Sequence, residues 1–258
     1  MEFYHNDAPH SNPIHCLRLE VDDVLGLLSF NDLGLIPPAA RTFDFVMLKN
    51  CFPQVERLHY VHSWPCLTGF PYVEILEVRE KFEGRAGEDI DCRMSMGGGN
   101  ARNQCNERRR YGVDLLKKRF GSRVKTDFIR DKGEYREALA ESACMLHISG
   151  AFANSFDRSS SFAFATGLPL ICPHVLTITG WERPRPLRDY VPFWEDMSDM
   201  VTQVELFLDD AELQMSLRRN SVQFWELNCS PKSCWQRAKF MAEKCRDRKV
   251  KQLPIDNG

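Results

Sequence analysis

The sequence has almost no net charge, because 34 lysines and arginines nearly balance 36 aspartates and glutamates, for a formal charge of −2. This balance gives no support for a strongly electrostatic attachment to nucleic acid or to an anionic membrane, although local basic clusters could still bind phosphate. No apolar run approaches the ~20 residues that a membrane-spanning helix needs. The opening segment 1–13 lacks an apolar signal core, so we expect a soluble protein in a reducing, cytoplasmic location.

Several common catalytic and metal-binding motifs are also missing. The ten cysteines form no CxxC pair, and no GxSxG, HExxH or Walker A sequence occurs. Zinc ribbons, thioredoxin-like sites, the usual serine hydrolases and zinc proteases are therefore not predicted. The candidates for a catalytic base are His62, which follows a predicted strand, and Asp23. The alternative for His62 is a structural histidine with satisfied hydrogen bonds.

The chain changes character near residue 87. Before it, runs rich in β-forming residues at 42–49, 57–61 and 72–78 predict strands, and 17–30 is interpreted as a short helix. After it, short strands and helices alternate, which is typical of parallel βαβ units. The predicted strands are 90–96, 125–129, 145–148 and 170–172, and the predicted helices are 106–120, 133–143, 197–208, 211–228 and 231–246. We predict an α/β protein with a short amino-terminal α/β domain, 1–86, and a doubly wound parallel-sheet domain, 87–258.

The segment 144–173 contains the most informative loop. An apolar strand leads into a stretch of small and hydroxyl residues, a short helix that ends at Gly167, and a second apolar strand. Open α/β sheets bind anions at the carboxyl ends of their strands, next to helix N-termini, so we predict that this loop holds a diphosphate. The predicted contacts are Ser149, Gly150, Ser155, Arg158, Ser159 and Ser160. The alternative is that the serines only cap the helix and that Arg158 pairs with Asp157 or with an acidic residue on the surface.

A glycine-rich loop follows an earlier predicted strand. Gly97 and Gly98 leave backbone N–H groups open to a phosphate or sugar, and Arg102 adds positive charge. A flexible surface turn is the alternative interpretation. The basic run 108–110 offers further phosphate contacts, or else a solvated helix face.

On these residues, the carboxy-terminal part resembles the nucleotide-sugar-binding domain of a GT-B glycosyltransferase, most closely the exostosin-like and related group 1 enzymes. The matching pieces are the helix at 134–143, the strand at 145–150, the S-x-R-x-x-E-A-x-x-x-G-like segment at 155–167, the strand at 168–173 and the segment at 190–208. The chain departs from that pattern twice. Phe162 stands where such families place a glutamate that contacts the donor, and Arg158 lies one position early.

The resemblance implies a GT-B-like fold of two Rossmann-like halves with the donor in the cleft between them. It implies transfer of a hexose or pentose from a UDP- or GDP-sugar to a glycan or other hydroxyl acceptor, with no metal and no further cofactor. The base would then come from the amino-terminal half, which holds His62 and Asp23. We also expect Arg130 and Tyr135 near the nucleotide base or ribose.

Two other classes of function stay open. One is a non-catalytic nucleotide-binding or scaffold protein that keeps this fold, an interpretation that the Phe162 departure favours. The other is a metal-dependent transferase of the GT-A class, in which a D-x-D pair holds a divalent cation against the diphosphate. Asp89 and Asp91 spell that pair, but they are predicted to precede a strand, whereas the metal chemistry needs them just after one.

Overall fold

A computed structural model describes residues 2–6, 14–21, 23–30, 45–48, 61–63, 72–82, 87–93, 103–148, 158–174, 183–233, 236 and 239–240. For the strands before residue 72 the description is of backbone pairing. Two separate five-stranded sheets are present within these residues.

The amino-terminal sheet has the strand order β1-β2-β3-β4-β5. Its strands are β1 (Glu2–Asn6), β2 (Ile14–Val21), β3 (Asp23–Phe30), β4 (Phe45–Leu48) and β5 (Val61–Ser63). The first three pair antiparallel, and β3, β4 and β5 pair parallel. The strand predicted at 42–49 is confirmed as β4, and of the strand predicted at 57–61 only residue 61 is described, as the start of β5.

The helix predicted at 17–30 is wrong, because this stretch forms most of the β2–β3 hairpin. Leu17, Leu19 and Val21 alternate with Arg18 and Glu20, a period of two residues that suits a strand with one buried face. In the strand, the backbone groups of β2 form their hydrogen bonds with β3, so no helix is needed to satisfy them.

The strand predicted at 72–78 is also wrong, because helix α1 covers Tyr72–Phe82. Its buried residues, Ile75, Val78 and Phe82, recur at helical spacing, and they pack into the same core as residues 135–229. Burial of this stripe outweighs the β-preference of the tyrosine, valines and isoleucine in the run. The domain boundary at residue 86 stays a prediction, and α1 lies on the amino-terminal side of it.

The second sheet is entirely parallel, with the order β10-β9-β8-β6-β7. Its strands are β6 (Asp89–Asp91), β7 (Val124–Lys125), β8 (Ser142–Leu146), β9 (Leu170–Pro173) and β10 (Val191–Phe193). The helices that connect or follow them are α2 (Asn103–Phe120), α3 (Lys132–Ala140), α4 (Arg158–Thr166), α5 (Met200–Asp209) and α6 (Ala211–Asn228). The predicted mixed α/β architecture with a parallel sheet is confirmed. The strand predicted at 90–96 is described as β6 over residues 89–91 only, so Asp89 and Asp91 form this strand rather than precede it.

Successive side chains of each strand point to opposite faces of this sheet, and each face packs into its own hydrophobic core. On β9, Leu170 and Cys172 pack with α1, α3, α4 and the carboxy-terminal part of α6, whereas Ile171 packs with α2 and α5. This alternation is the period-two geometry of a strand that is buried on both faces. The sheet therefore holds its helices in two layers and leaves the carboxyl ends of its strands as the edge where loops emerge.

Candidate functional site

The two loops that the sequence analysis selected begin at neighbouring strands. Strands β6 and β8 pair in parallel at the centre of the sheet, and their connections run to opposite sides, β6 to β7 and β8 to β9. Such a reversal creates a crevice at the carboxyl ends of the two strands, which is where open α/β sheets bind ligands. The segment after β6 contains the glycine loop, and the segment after β8 contains the serine-rich loop.

Most residues proposed to touch the diphosphate fall in those two segments. Outside the described residues lie Gly97, Gly98, Arg102, Ser149, Gly150 and Ser155. Arg158 is described as the first residue of α4, so the helix N-terminus does follow the β8 loop as predicted. A helix N-terminus is a favourable place for an anion, because its first N–H groups have no partner within the helix.

The serines at the start of α4 have different surroundings. Ser159 is half-buried and Ser160 is buried, while the fully buried Ser161 hydroxyl accepts a hydrogen bond from Nε1 of Trp225 at 3.1 Å. Phe162 is buried and stacks on Tyr135, with ring centroids 6.3 Å apart and planes 20° apart. The aromatic side chain in the position of the expected glutamate is therefore part of the core beneath the loop.

A buried polar cluster closes the carboxyl end of β6. Asp91 is fully buried, and its Oδ1 accepts a hydrogen bond from the backbone N–H of Arg93 at 2.8 Å. The guanidinium of Arg93 lies 3.5 Å from the same oxygen. Burial raises the pKa of the Asp91 carboxyl to about 6, an effect that the hydrogen bond and positive charge of Arg93 oppose. Burial and the charge of Asp91 together raise the pKa of the Tyr135 hydroxyl.

This cluster has unused hydrogen-bonding capacity. Within the described part of the chain, Oδ2 of Asp91, Nε and Nη1 of Arg93 and the hydroxyl of Tyr135 are buried without a hydrogen-bond partner. The Tyr135 hydroxyl lies close enough to Asp91 to lower the pKa of that carboxyl, but the two groups do not meet in hydrogen-bond geometry. Among the described residues, only the Asp91 carboxylate faces the Arg93 guanidinium, which lies at the start of the glycine loop. Sequence reasoning missed it, although an arginine two residues after the buried Asp91 was the available signal.

Asp89 and Asp91 do not form a metal cluster with other ligands in the described structure. Asp89 pairs with Lys125 at 3.5 Å and Asp91 pairs with Arg93, so each carboxylate already faces a cation. Among the residues that the structure describes, no group of three histidine, cysteine, aspartate or glutamate side chains could hold a metal ion. The metal-dependent class stays an untested alternative.

Two arginines of the basic run on α2 form hydrogen bonds with the segments that follow β8 and β10 at the carboxyl edge of the sheet. Arg108 donates to the backbone carbonyl of Glu195 at 2.6 Å and pairs with its carboxylate. Arg109 donates from Nε to the backbone carbonyl of Ile148, at 3.2 Å. Arg110 is exposed. The solvated-face interpretation therefore holds for Arg110 only, because its two neighbours position the segments that follow β8 and β10.

An exposed tryptophan lies at the same edge. Trp194 follows β10 and is 60% exposed, and its ring centroid lies 5.2 Å from that of His174, which follows the neighbouring strand β9. The loop is held by hydrogen bonds from the Trp194 N–H to the Asp199 carboxylate and from the Met197 N–H to the Trp194 carbonyl, both at 2.8 Å. Sequence analysis did not select this residue, which offers a flat apolar surface at the carboxyl edge of the sheet, with β9 between β10 and the crevice strand β8.

The remaining candidates are dispersed. His62 lies in β5, paired with Met47 of β4, and Asp23 begins β3, so both belong to the amino-terminal sheet. Arg130 is exposed in the loop after β7, directly before Asp131, whose carboxylate caps α3 through the Glu134 N–H at 2.9 Å. Tyr135 is only 8% exposed, with its hydroxyl in the Asp91 cluster.

Comparisons with known proteins bear on the fold. No protein-family model and no curated protein sequence matches the chain. Among solved structures, sucrose-phosphate synthase from Thermosynechococcus elongatus is similar, with a TM-score of 0.54 and 14% sequence identity over 86% of this chain and 68% of that chain. None of the described helices is long and apolar enough to cross a membrane. The chain thus has a fold similar to that of a GT-B glycosyltransferase.

Proposed function

We propose that this protein is a glycosyltransferase that moves a sugar from a nucleoside diphosphate sugar to an acceptor hydroxyl. One observation carries the proposal: the two loops rich in glycine, serine and arginine leave neighbouring strands at the crevice of a parallel sheet. The likeness to sucrose-phosphate synthase supports the class of activity. Membership of the exostosin-like or group 1 enzymes is part of the proposal and rests on the sequence motifs.

In this proposal the diphosphate binds between the glycine loop and the N-terminus of α4. Arg93, Arg102 and Arg158 supply positive charge, and the glycine loop and Ser159 supply hydrogen-bond donors. Guanidinium groups suit this role because they bind phosphate oxygens through two N–H groups at once. The cations and the helix N-terminus would stabilise the departing diphosphate electrostatically, so the reaction would need neither metal nor cofactor.

The acceptor would bind on the side of the amino-terminal sheet. In an inverting reaction His62 or Asp23 would remove the proton of the acceptor hydroxyl as the hydroxyl oxygen attacks the anomeric carbon and the diphosphate leaves. In a retaining reaction the leaving phosphate itself would take that proton. Replacement of His62 by Asn and of Asp23 by Asn separates these cases, because only an inverting enzyme that uses one of them loses turnover while keeping donor affinity.

Calorimetry with UDP, GDP, their sugars and inorganic pyrophosphate tests the donor site. We expect one nucleotide series to bind with EDTA present. Arg93→Gln and Arg158→Ala should each weaken nucleotide diphosphate binding about tenfold or more, since a hydrogen bond to a charged group contributes ~1.5–3 kcal/mol, and should leave nucleoside binding unchanged. The matched control is Arg136→Gln. It removes the ion pair between Arg136 on α3 and Glu77 on α1, which is not part of the proposed donor site. No binding by the folded wild-type protein contradicts the proposal.

A non-catalytic nucleotide-binding protein is the second candidate. The buried Phe162, stacked on Tyr135, favours it, because an aromatic core residue replaces the carboxylate expected to contact the donor. The two functions differ in turnover. Binding of a nucleotide sugar without its hydrolysis, and without transfer to any hydroxyl acceptor over a long incubation, identifies the binding protein, whereas release of free nucleotide identifies the enzyme.

A further inference from the structure

A cavity lies away from the carboxyl edge of the sheet. It has a volume of about 510 Å³ and lies between the last turns of α1, the end of α4 at Thr166–Gly167, and the middle of α6. Because Gly167 precedes β9, the cavity adjoins the amino end of that strand, opposite the crevice proposed for the donor. Its volume is within the range of ~300–1,000 Å³ that is typical of small-molecule sites.

The wall of this cavity combines apolar and cationic side chains. Phe82, Met215 and Val222 supply apolar surface, and Arg79, Arg218 and Arg219 supply three guanidinium groups. Among the described residues that line it, none is acidic. Arg79 is already neutralised, because its Nη1 pairs with Glu226 at 2.7 Å and its Nε donates to the Ala165 carbonyl.

Arg218 is not neutralised in this way. Its guanidinium stacks over the ring of Phe82 at 5.1 Å, and within the described structure its Nη1 and Nη2 are buried and have no hydrogen-bond partner. Burial lowers the pKa of this guanidinium. A desolvated cation without a counter-ion is unfavourable, so Arg218 is a receptor for a negative charge that the described chain does not provide.

The end of α4 does not oppose an anion strongly. A helix C-terminus carries partial negative charge on its unpaired carbonyl groups. Here Gly167, with φ +78°, turns the chain so that its N–H and that of Leu168 donate to the carbonyls of Phe164 and Ala163. Two of the last carbonyls are therefore satisfied, and the arginines dominate the local charge.

We propose that this cavity binds an amphipathic anion, with a carboxylate or phosphate head on Arg218 and Arg219 and an apolar chain against Phe82, Met215 and Val222. The Arg218 terminal nitrogens are buried, so this binding mode requires the side chain to change rotamer and turn them into the cavity. The site is independent of the donor site, since it is built from other helix ends and from other arginines.

Decyl phosphate, decanoate and uncharged decanol are suitable probes, measured by calorimetry below their aggregation limits. We expect one molecule of either anion to bind per chain, and decanol to bind at least tenfold more weakly. Tighter binding of decyl phosphate assigns a phosphate head group, and tighter binding of decanoate assigns a carboxylate. Equal affinities for decanol and the two anions overturn the proposal.

Two variants locate the binding. Arg218→Met keeps the length and apolar contacts of the side chain but removes its charge, so anion binding should weaken at least tenfold while the melting temperature without probe rises or stays unchanged. Met215→Trp fills the cavity from an exposed position and should abolish binding of all three probes. Arg119→Met, an exposed arginine on α2 that pairs with Glu205, is the control. Unchanged anion affinity in both cavity variants overturns the proposal.

Discussion

Replacement of Asp91 by asparagine should change how the stability of the protein depends on pH. The pKa of this carboxyl is raised from 3.8 to about 6 in the folded protein by burial. The folded state therefore binds the proton more tightly than the unfolded state does, and stability falls as pH rises between these two values. Asparagine has nearly the same shape and does not titrate, so the variant lacks this contribution.

The size of the effect follows from the shift in pKa. A difference of about 2 units corresponds to ~3 kcal/mol of lost stability once the carboxyl is fully ionised, since each unit is worth ~1.4 kcal/mol. Integrated over the titration, about 2 kcal/mol of this loss develops between about pH 4.5 and about pH 7. The variant also leaves Arg93 without its carboxylate. That cost does not vary with pH in this range, because a guanidinium stays charged, so it shifts the curve without changing its slope.

Chemical denaturation of the wild type and of Asp91→Asn at several pH values measures this difference. The free energy of unfolding of the wild type minus that of the variant should fall by about 2 kcal/mol from about pH 4.5 to about pH 7, and other titrating groups cancel in the subtraction. Two parallel curves would refute the reasoning, because they would mean that Asp91 keeps its ordinary pKa despite burial.

Three further predictions concern packing, a buried hydrogen bond and the exposed tryptophan. Gly87→Ala should lower the free energy of unfolding by about 1–3 kcal/mol, because the new Cβ would lie 2.3 Å from the backbone carbonyl of Ser142; a loss below ~0.5 kcal/mol in denaturant contradicts this. Trp225→Phe should cost about 1–3 kcal/mol by leaving the Ser161 hydroxyl buried and unpaired, and the double variant with Ser161→Ala should recover part of it; additive losses exclude the coupling. Trp194→Ala should leave the melting temperature unchanged, since the side chain is 60% exposed, but weaken UDP or GDP binding relative to pyrophosphate by about the ~1–3 kcal/mol of a stacked base; equal changes for both probes show that no base stacks there.

Local sequence patterns correctly predict the helices whose apolar residues recur at helical spacing and whose ends are marked by a glycine. Helix α2 ends before Gly121, which has φ +59°, and α4 ends before Gly167, as the glycines indicated. The β-branched and aromatic residues of 72–78 predict a strand, but residues of these types also occur in buried helices. The core contacts of Ile75 and Val78, made with residues far along the chain, decide for the helix.

The candidate site was predictable in its loops but not in its buried cluster. The glycines and serines after two apolar strands indicate an anion site through their own chemistry. Asp91, Arg93 and Tyr135 are different, because Tyr135 lies on α3, remote in sequence, and reaches Asp91 only through the packing of that helix on the sheet. Neither the raised pKa of Asp91 nor its ion pair with Arg93 follows from any local pattern.

Two features can be read from the residues alone: strands and helices alternate after residue 87, and loops rich in glycine, serine and arginine follow two of the predicted strands. Those features depend on residues within one turn or one loop of each other. The strand order β10-β9-β8-β6-β7, which makes β6 and β8 neighbours and places their carboxyl ends side by side, becomes visible in the folded chain alone. Strand order is set by hydrogen bonds and burial between segments far apart in the chain, and the periodicity of a single strand carries no information about which partner it will pair with.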